Sequence, residues 1–317
     1  MALWDREMEA LRPTLRAEAD AMLAGWPSRA DDPSLSIAAR VAAHREDLGA
    51  GLPPSERAID RTIPGPAGPV RVRTIVPETV DAVFLHIHGG GFVSGTPEMT
   101  DILHEMLSAE LNLAFVSVDY RLAPEHPYPA GPDDCEAAAV WLLEHAEAEY
   151  GSDQLLIGGE SAGAHLAACT LLRMRDRHDA IERFSGANLV FGIFDIGGTP
   201  SQRGVGAGPD VLSAGQIEFF SELFAPEMTS EERRNDADLS PLSADLHDLV
   251  PALFTVGTAD HLIDDTLFMA DRWELAGNRT ERLVYPEGPH ACIAMPTVGG
   301  HWFPRLTEFL RGCIDGA

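Results

Sequence analysis

The stretch LLIGGESAGAHL, residues 155–166, passes from an apolar strand pattern to an apolar helix pattern with only GESAG, 159–163, marking the change. So tight a turn crowds the backbone. It needs small residues two places before and two places after its central serine, and Gly159 and Gly163 stand there. An apolar strand that runs straight into a helix belongs to a mostly parallel sheet with helices on its faces, the arrangement that buries such a strand on both sides.

The rest of the chain agrees. Strand patterns recur at 57–63, 70–76, 82–88, 113–120, 154–159, 188–194, 252–257 and 282–287, with helical patterns at 97–110, 132–150, 161–176, 264–276 and 302–314. The first two strands adjoin without a helix, so the sheet is expected to open antiparallel. Residues 1–50 read as helices, broken near 26–34 by Pro, Asp and Ser. More than fifty residues separate 188–194 from 252–257, Gly- and Ser-rich at 197–210, then apolar and helical at 214–224. A structureless loop of that length is uncommon inside a domain. It reads as an inserted helical lid that packs against the N-terminal helices. The division expected is therefore 1–50 as N-terminal helices contributing to a cap, 51–194 and 249–317 as the two parts of an α/β core, and 195–248 as inserted cap helices.

Composition narrows the partners. The 317 residues carry a formal net charge of −27, with no lysine. Such a surface repels phosphate backbones, so nucleic acid is not an expected partner. The acid excess is spread along the chain and fits either an ordinary acidic protein or one adapted to high salt. No apolar stretch approaches the length of a membrane span, and the N-terminus lacks the basic start and apolar centre of a secretion signal. The expectation is a soluble, cytoplasmic protein without a membrane partner. Cys135, Cys169, Cys292 and Cys313 are scattered, which argues against a disulfide framework or a zinc site.

The chemistry starts at Ser161. A strand–turn–helix elbow pushes its hydroxyl out at the sheet's C-terminal edge, and the helix N-terminus beneath favours developing negative charge. A serine hydroxyl is a weak nucleophile until a base takes its proton. On this kind of sheet the order is serine, acid, histidine. Asp260 follows the strand 252–257 and is taken as the acid; Asp264 behind it reads as a helix N-cap, and Asp265 lies beside that. Of the histidines after Ser161, His261, His290 and His301 are the candidates for the base. His261 adjoins Asp260 and would meet its carboxylate at a poor angle, and His301 reads as a surface residue starting a helix. His290 sits in a Gly/Pro loop after a strand and is taken as the base. Upstream, HGGGF at 88–92 follows the apolar run AVFLHIH. Without a Cβ in the way, Gly89 and Gly90 can bring backbone N–H groups to an oxyanion, together with the N–H of Ala162. His88 reads as a brace for that loop.

With HGGGF at 88–92, DYRLAPEHPYPA at 119–130 and GESAG at 159–163, and with Asp260 and His290 in order, the chain from about Glu56 onward resembles the hormone-sensitive lipase family of bacterial carboxylesterases, α/β-hydrolases. The resemblance implies an α/β-hydrolase fold with an eight-stranded, mostly parallel sheet and a helical cap, and an oxyanion hole of Gly89, Gly90 and Ala162. It gives Asp119 and Arg121 structural roles. The function it implies is a serine carboxylesterase acting on short-acyl esters through an acyl-enzyme, with no metal or other cofactor. The chain departs from the family at Glu160, where Asp or Thr is common, at Asp260-His261-Leu262, where Asp-Pro-Leu is common, and at Ala291-Cys292, where Gly-Phe is common. These leave the triad intact and bear on substrate detail. The same triad serves amide, carbamate and arylformamide hydrolases, and a plant hormone receptor of this kind binds without hydrolysis and lacks a complete triad. Phe92, Phe219, Phe220 and Phe224, with Trp4 and Met22 from the N-terminal helices, are expected to line an apolar pocket for a small ester. The strand at 282–287 could pair two copies as a homodimer.

Overall fold

The computed structural model describes residues 4, 6–26, 32, 34–49, 53–204 and 211–316. Parts of the breaks expected near 26–34 and at 197–210, and the boundary at 50–51, lie outside the described residues. Eight strands form one sheet: β1 (Ile59–Ile63), β2 (Val70–Ile75), β3 (Ala82–Ile87), β4 (Leu113–Asp119), β5 (Leu155–Glu160), β6 (Phe184–Val190), β7 (Ala252–Gly257) and β8 (Thr280–Tyr285). Their spatial order is β1-β2-β4-β3-β5-β6-β7-β8. As expected, β1 and β2 are antiparallel; β2 meets β4 antiparallel, and every later pairing is parallel. All six residues of β3 are buried, whereas four of the five in edge strand β1 are exposed. That contrast follows from position, since only central strands carry helices on both faces.

Nine α-helices run through the described residues: α1 (Arg6–Gly25), α2 (Ile37–Gly49), α3 (Asp101–Leu111), α4 (Ala130–Tyr150), α5 (Ala162–His178), α6 (Ala214–Phe224), α7 (Ser230–Asn235), α8 (Ile263–Leu275) and α9 (Pro296–Ile314). One face of the sheet packs on α4, α5 and α8, and the other on α1, α3 and α9. Residues Ala162 to Met174 of α5 are buried without a break, because this helix crosses the sheet's centre. No helix among the described residues is long and apolar enough to cross a membrane.

Several boundaries differ from the sequence reading, two of them instructively. The sixth strand was expected at 188–194 but ends at Val190. Phe191 has a positive φ of 37°, and the N–H groups of Phe194 and Asp195 turn to the Asp265 carboxylate at 2.7 and 2.9 Å in place of a neighbouring strand. The last helix starts at Pro296, six residues early; Gly299 and Gly300 had hidden its first turns.

The first two helices part company. Helix α1 buries Met8, Leu15 and Ala19 against the core under α9 and is tied there by Arg12 and Arg16 to Glu287. Helix α2 meets α6 instead: Val41 packs with Phe219 and Phe220, the His44 ring stacks on Phe220 at 4.7 Å, and the Arg40 guanidinium lies 3.6 Å from the Phe219 ring centre. Arg45 fastens α2 further, donating to the carbonyls of Val93 and Ala123 and to both oxygens of Glu125.

Candidate active site

Ser161 joins β5 to α5 with φ 56° and ψ −119°, a conformation that L-residues rarely adopt. The register explains how it is held. Ile87 of β3 pairs with Gly159 of β5, so the loop after β3 and the elbow after β5 leave the sheet side by side. They touch so closely that a Cβ at Gly163 would lie 1.9 Å from the Ile87 carbonyl oxygen. Any side chain there would drive α5 away from β3.

His290 lies in the loop after β8. Its Nε2 is 3.0 Å from Ser161 Oγ, and its Nδ1 is 2.9 Å from Asp260 Oδ2. Asp260 is buried, and its Oδ1 accepts the Leu262 N–H at 2.9 Å. With one carboxylate oxygen fixed by the backbone, the other is left for the imidazole. A neutral His290 with its proton on Nδ1 therefore donates to Asp260 and accepts from Ser161, the tautomer a general base requires. Phe191 packs edge-on against His290, with 4.7 Å between ring centroids.

The other candidate groups are occupied elsewhere. His261 Nδ1 faces the Ser201 carbonyl at 3.0 Å. His301 is half-buried within α9, not at its start, and meets the Tyr285 hydroxyl at 3.0 Å. Asp264 is not an N-cap: α8 begins one residue earlier, and the Asp264 carboxylate accepts the Ser201 N–H at 2.8 Å, so it pins the turn leading into the insertion. Asp265 is fully buried and accepts from the Phe194 and Asp195 N–H groups, the Thr199 hydroxyl and the Gln202 amide. Burial pushes its carboxyl up to about 7 while these donors pull it down. It anchors the entry to the insertion.

Beside Ser161, Gly89 and Gly90 stand after β3, and Ala162 is the first residue of α5, whose N–H has no intrahelical partner. Gly90 has φ 118°, and its carbonyl is turned away to accept the Ser94 N–H at 3.0 Å and the Ser94 hydroxyl at 2.7 Å. His88 Nδ1 meets the Gly89 carbonyl at 2.7 Å, its ring stacks on Tyr120 at 4.3 Å, and the Tyr120 hydroxyl donates to the His88 carbonyl at 3.0 Å. Burial pulls the His88 imidazole down to about 4, so it braces this loop as a neutral ring. Asp119 pairs with Arg71, and Arg121 with buried Asp134.

A cavity of about 510 Å³ opens over Ser161 and His290. Phe92 and Phe220 line it; Phe219 and Phe224 do not. Consecutive residues on a helix point about 100° apart, so Phe219 turns to Arg40 when Phe220 faces inward. Phe224 lies flat behind Phe92, with 4.0 Å between ring centroids. Trp4 and Met22 pack against the core beneath α9 and also miss the cavity. Trp26, His44 and Trp302 take part instead. Burial holds the His44 imidazole down at about 4, and among the described residues its Nε2 has no hydrogen-bond partner. The sequence offered no signal for His44, whose place depends on the α2–α6 contact.

A family model described as the alpha/beta hydrolase fold matches residues 84–294. The chain is 31% identical over 268 residues to carboxylic ester hydrolase LipN of Mycobacterium tuberculosis, covering 81% of this chain and 71% of that one. It is 34% identical over 237 residues to esterase LipI of the same organism, covering 71% of each. A hormone-sensitive lipase from a metagenome library superposes with a TM-score of 0.75 at 25% identity, covering 98% of this chain and 99% of that one.

Proposed function

Since the chain belongs to the α/β-hydrolase family, in its hormone-sensitive-lipase-like branch, we propose that its site works as a serine carboxylesterase acting on short-acyl esters. The observation that carries this reading is the continuous relay from Ser161 Oγ through His290 to Asp260. As Ser161 Oγ bonds to the ester carbonyl carbon, its proton passes to His290 Nε2. The imidazolium so formed is stabilised by Asp260. The carbonyl oxygen takes up negative charge beside the N–H groups of Gly89, Gly90 and Ala162, each such donor contributing about 3–4 kcal/mol. Collapse breaks the bond to the alcohol, which leaves with the proton from His290. Water then attacks the acyl-Ser161 ester, with His290 again taking a proton, and the acid is released. The complete relay weighs against the receptor reading, which rests on a missing base.

Mostly apolar walls suit a short acyl chain, each buried CH₂ adding about 0.8 kcal/mol until the wall is met. For p-nitrophenyl esters, kcat/KM is expected to peak between acetate and hexanoate and to fall sharply by decanoate. Emulsified long-chain triglycerides are expected to be poor substrates. A profile still rising at dodecanoate would make the enzyme a true lipase.

A further inference from the structure

Glu160 immediately precedes the nucleophile at the end of β5 and is among the residues that line the cavity. One carboxylate oxygen lies 3.1 Å from His86 Nε2, and His86 Nδ1 lies 3.0 Å from the Ser117 hydroxyl. A single neutral tautomer of His86 serves both, donating from Nε2 to the carboxylate and accepting at Nδ1 from Ser117. His86 is buried edge-on against His104, whose imidazole burial holds well below its usual range. The second Glu160 oxygen makes no hydrogen bond to another described residue. Among the described residues, no arginine lines the cavity to answer this charge.

The Glu160 carboxylate is a formal negative charge beside the nucleophile. The tetrahedral intermediate develops negative charge one residue away, and like charges repel. A positive charge on the substrate would turn that repulsion into attraction. Two further features suit such a substrate. Trp26, Phe191, Phe220 and Trp302 line the same cavity, and aromatic rings attract organic cations. The net charge of −27 draws cations toward the protein as a whole. We propose that this cavity selects esters bearing an amine or quaternary ammonium group near the scissile bond, with Glu160 as the residue that determines this specificity and His86 holding its carboxylate in place. The proposal rests on the esterase reading and names its substrate class.

The probe pair is acetylcholine and 3,3-dimethylbutyl acetate, which share a shape and differ in charge. The unaltered enzyme is expected to show kcat/KM about tenfold higher for the cationic ester. Glu160→Gln keeps an acceptor for His86 and is expected to bring the ratio near one, mainly through KM. A ratio at or below one in the unaltered enzyme, or one that survives the substitution, overturns the proposal. A second measurement needs no variant: choline and 3,3-dimethylbutan-1-ol are compared as competitive inhibitors of p-nitrophenyl acetate hydrolysis. Preference for choline supports the anchor, and equal inhibition overturns it. If no ester is turned over, the esterase reading fails, and calorimetric binding of the two alcohols still decides the charge preference.

Discussion

Ser161→Ala is expected to lower kcat for p-nitrophenyl acetate by about 10⁶, the scale on which a serine hydrolase responds to loss of its nucleophile. The substitution deletes one oxygen at a half-exposed position and leaves Ala162 and the glycine loop untouched. On the proposed mechanism, binding and the oxyanion donors remain, and the residue of activity they support over water is all that should survive. The matching chemical measurement is intact-mass analysis after an alkyl phosphonate or sulfonyl fluoride. One adduct is expected on the unaltered enzyme, mapping to the peptide that contains Ser161, and none on the variant. An adduct on another serine, with Ser161 unmodified, would move the nucleophile.

Asp260→Asn comes next in size, with a loss in kcat of about 10⁴. The direction follows from the second bond that Asp260 makes. Its Oδ1 already accepts the Leu262 N–H, so an asparagine will turn its carbonyl oxygen to Leu262 and its NH₂ to His290. The imidazole must then accept at Nδ1 and carry its proton on Nε2, where it can no longer take one from Ser161. Asp264→Asn is the contrasting variant. It weakens the bond to the Ser201 N–H and should cost about 1 kcal/mol of stability with kcat little changed. The reverse pattern would make Asp264 the catalytic acid.

Most strands, and the loops that bring Ser161, Asp260 and His290 together, were legible because they are written locally. A strand run, a turn residue and a helix run adjoin at each of them, as at LLIGGESAGAHL. What failed to show was set by contacts between distant segments. The run FGIF at 191–194 is as apolar as a strand, yet it leaves the sheet where a carboxylate some seventy residues on captures the N–H groups of Phe194 and Asp195. Four phenylalanines looked equally fit to line a pocket. Only the crossing of α2 over α6 decides that Phe220 faces in and Phe219 faces out. The pairing of Glu160 with His86 spans |i−j| of 74 residues. In the sequence, Glu160 showed only as a departure from the commoner Asp or Thr.

The four acceptors gathered by Arg45 change what the second helix is. It packs against α6 beside the cavity, but its Arg45 guanidinium is bolted to the Val93 carbonyl, in the same loop as Gly89 and Gly90, and to the Ala123 carbonyl after β4. To swing away, it would have to strip several charge-assisted hydrogen bonds at once and pull on the loop after β3. It is better seen as a doorpost than as a door. Met99, Ile102 and Met106 also line the cavity and are each exposed to solvent. Methionine and isoleucine side chains there can yield by changing rotamer while the catalytic frame stands still.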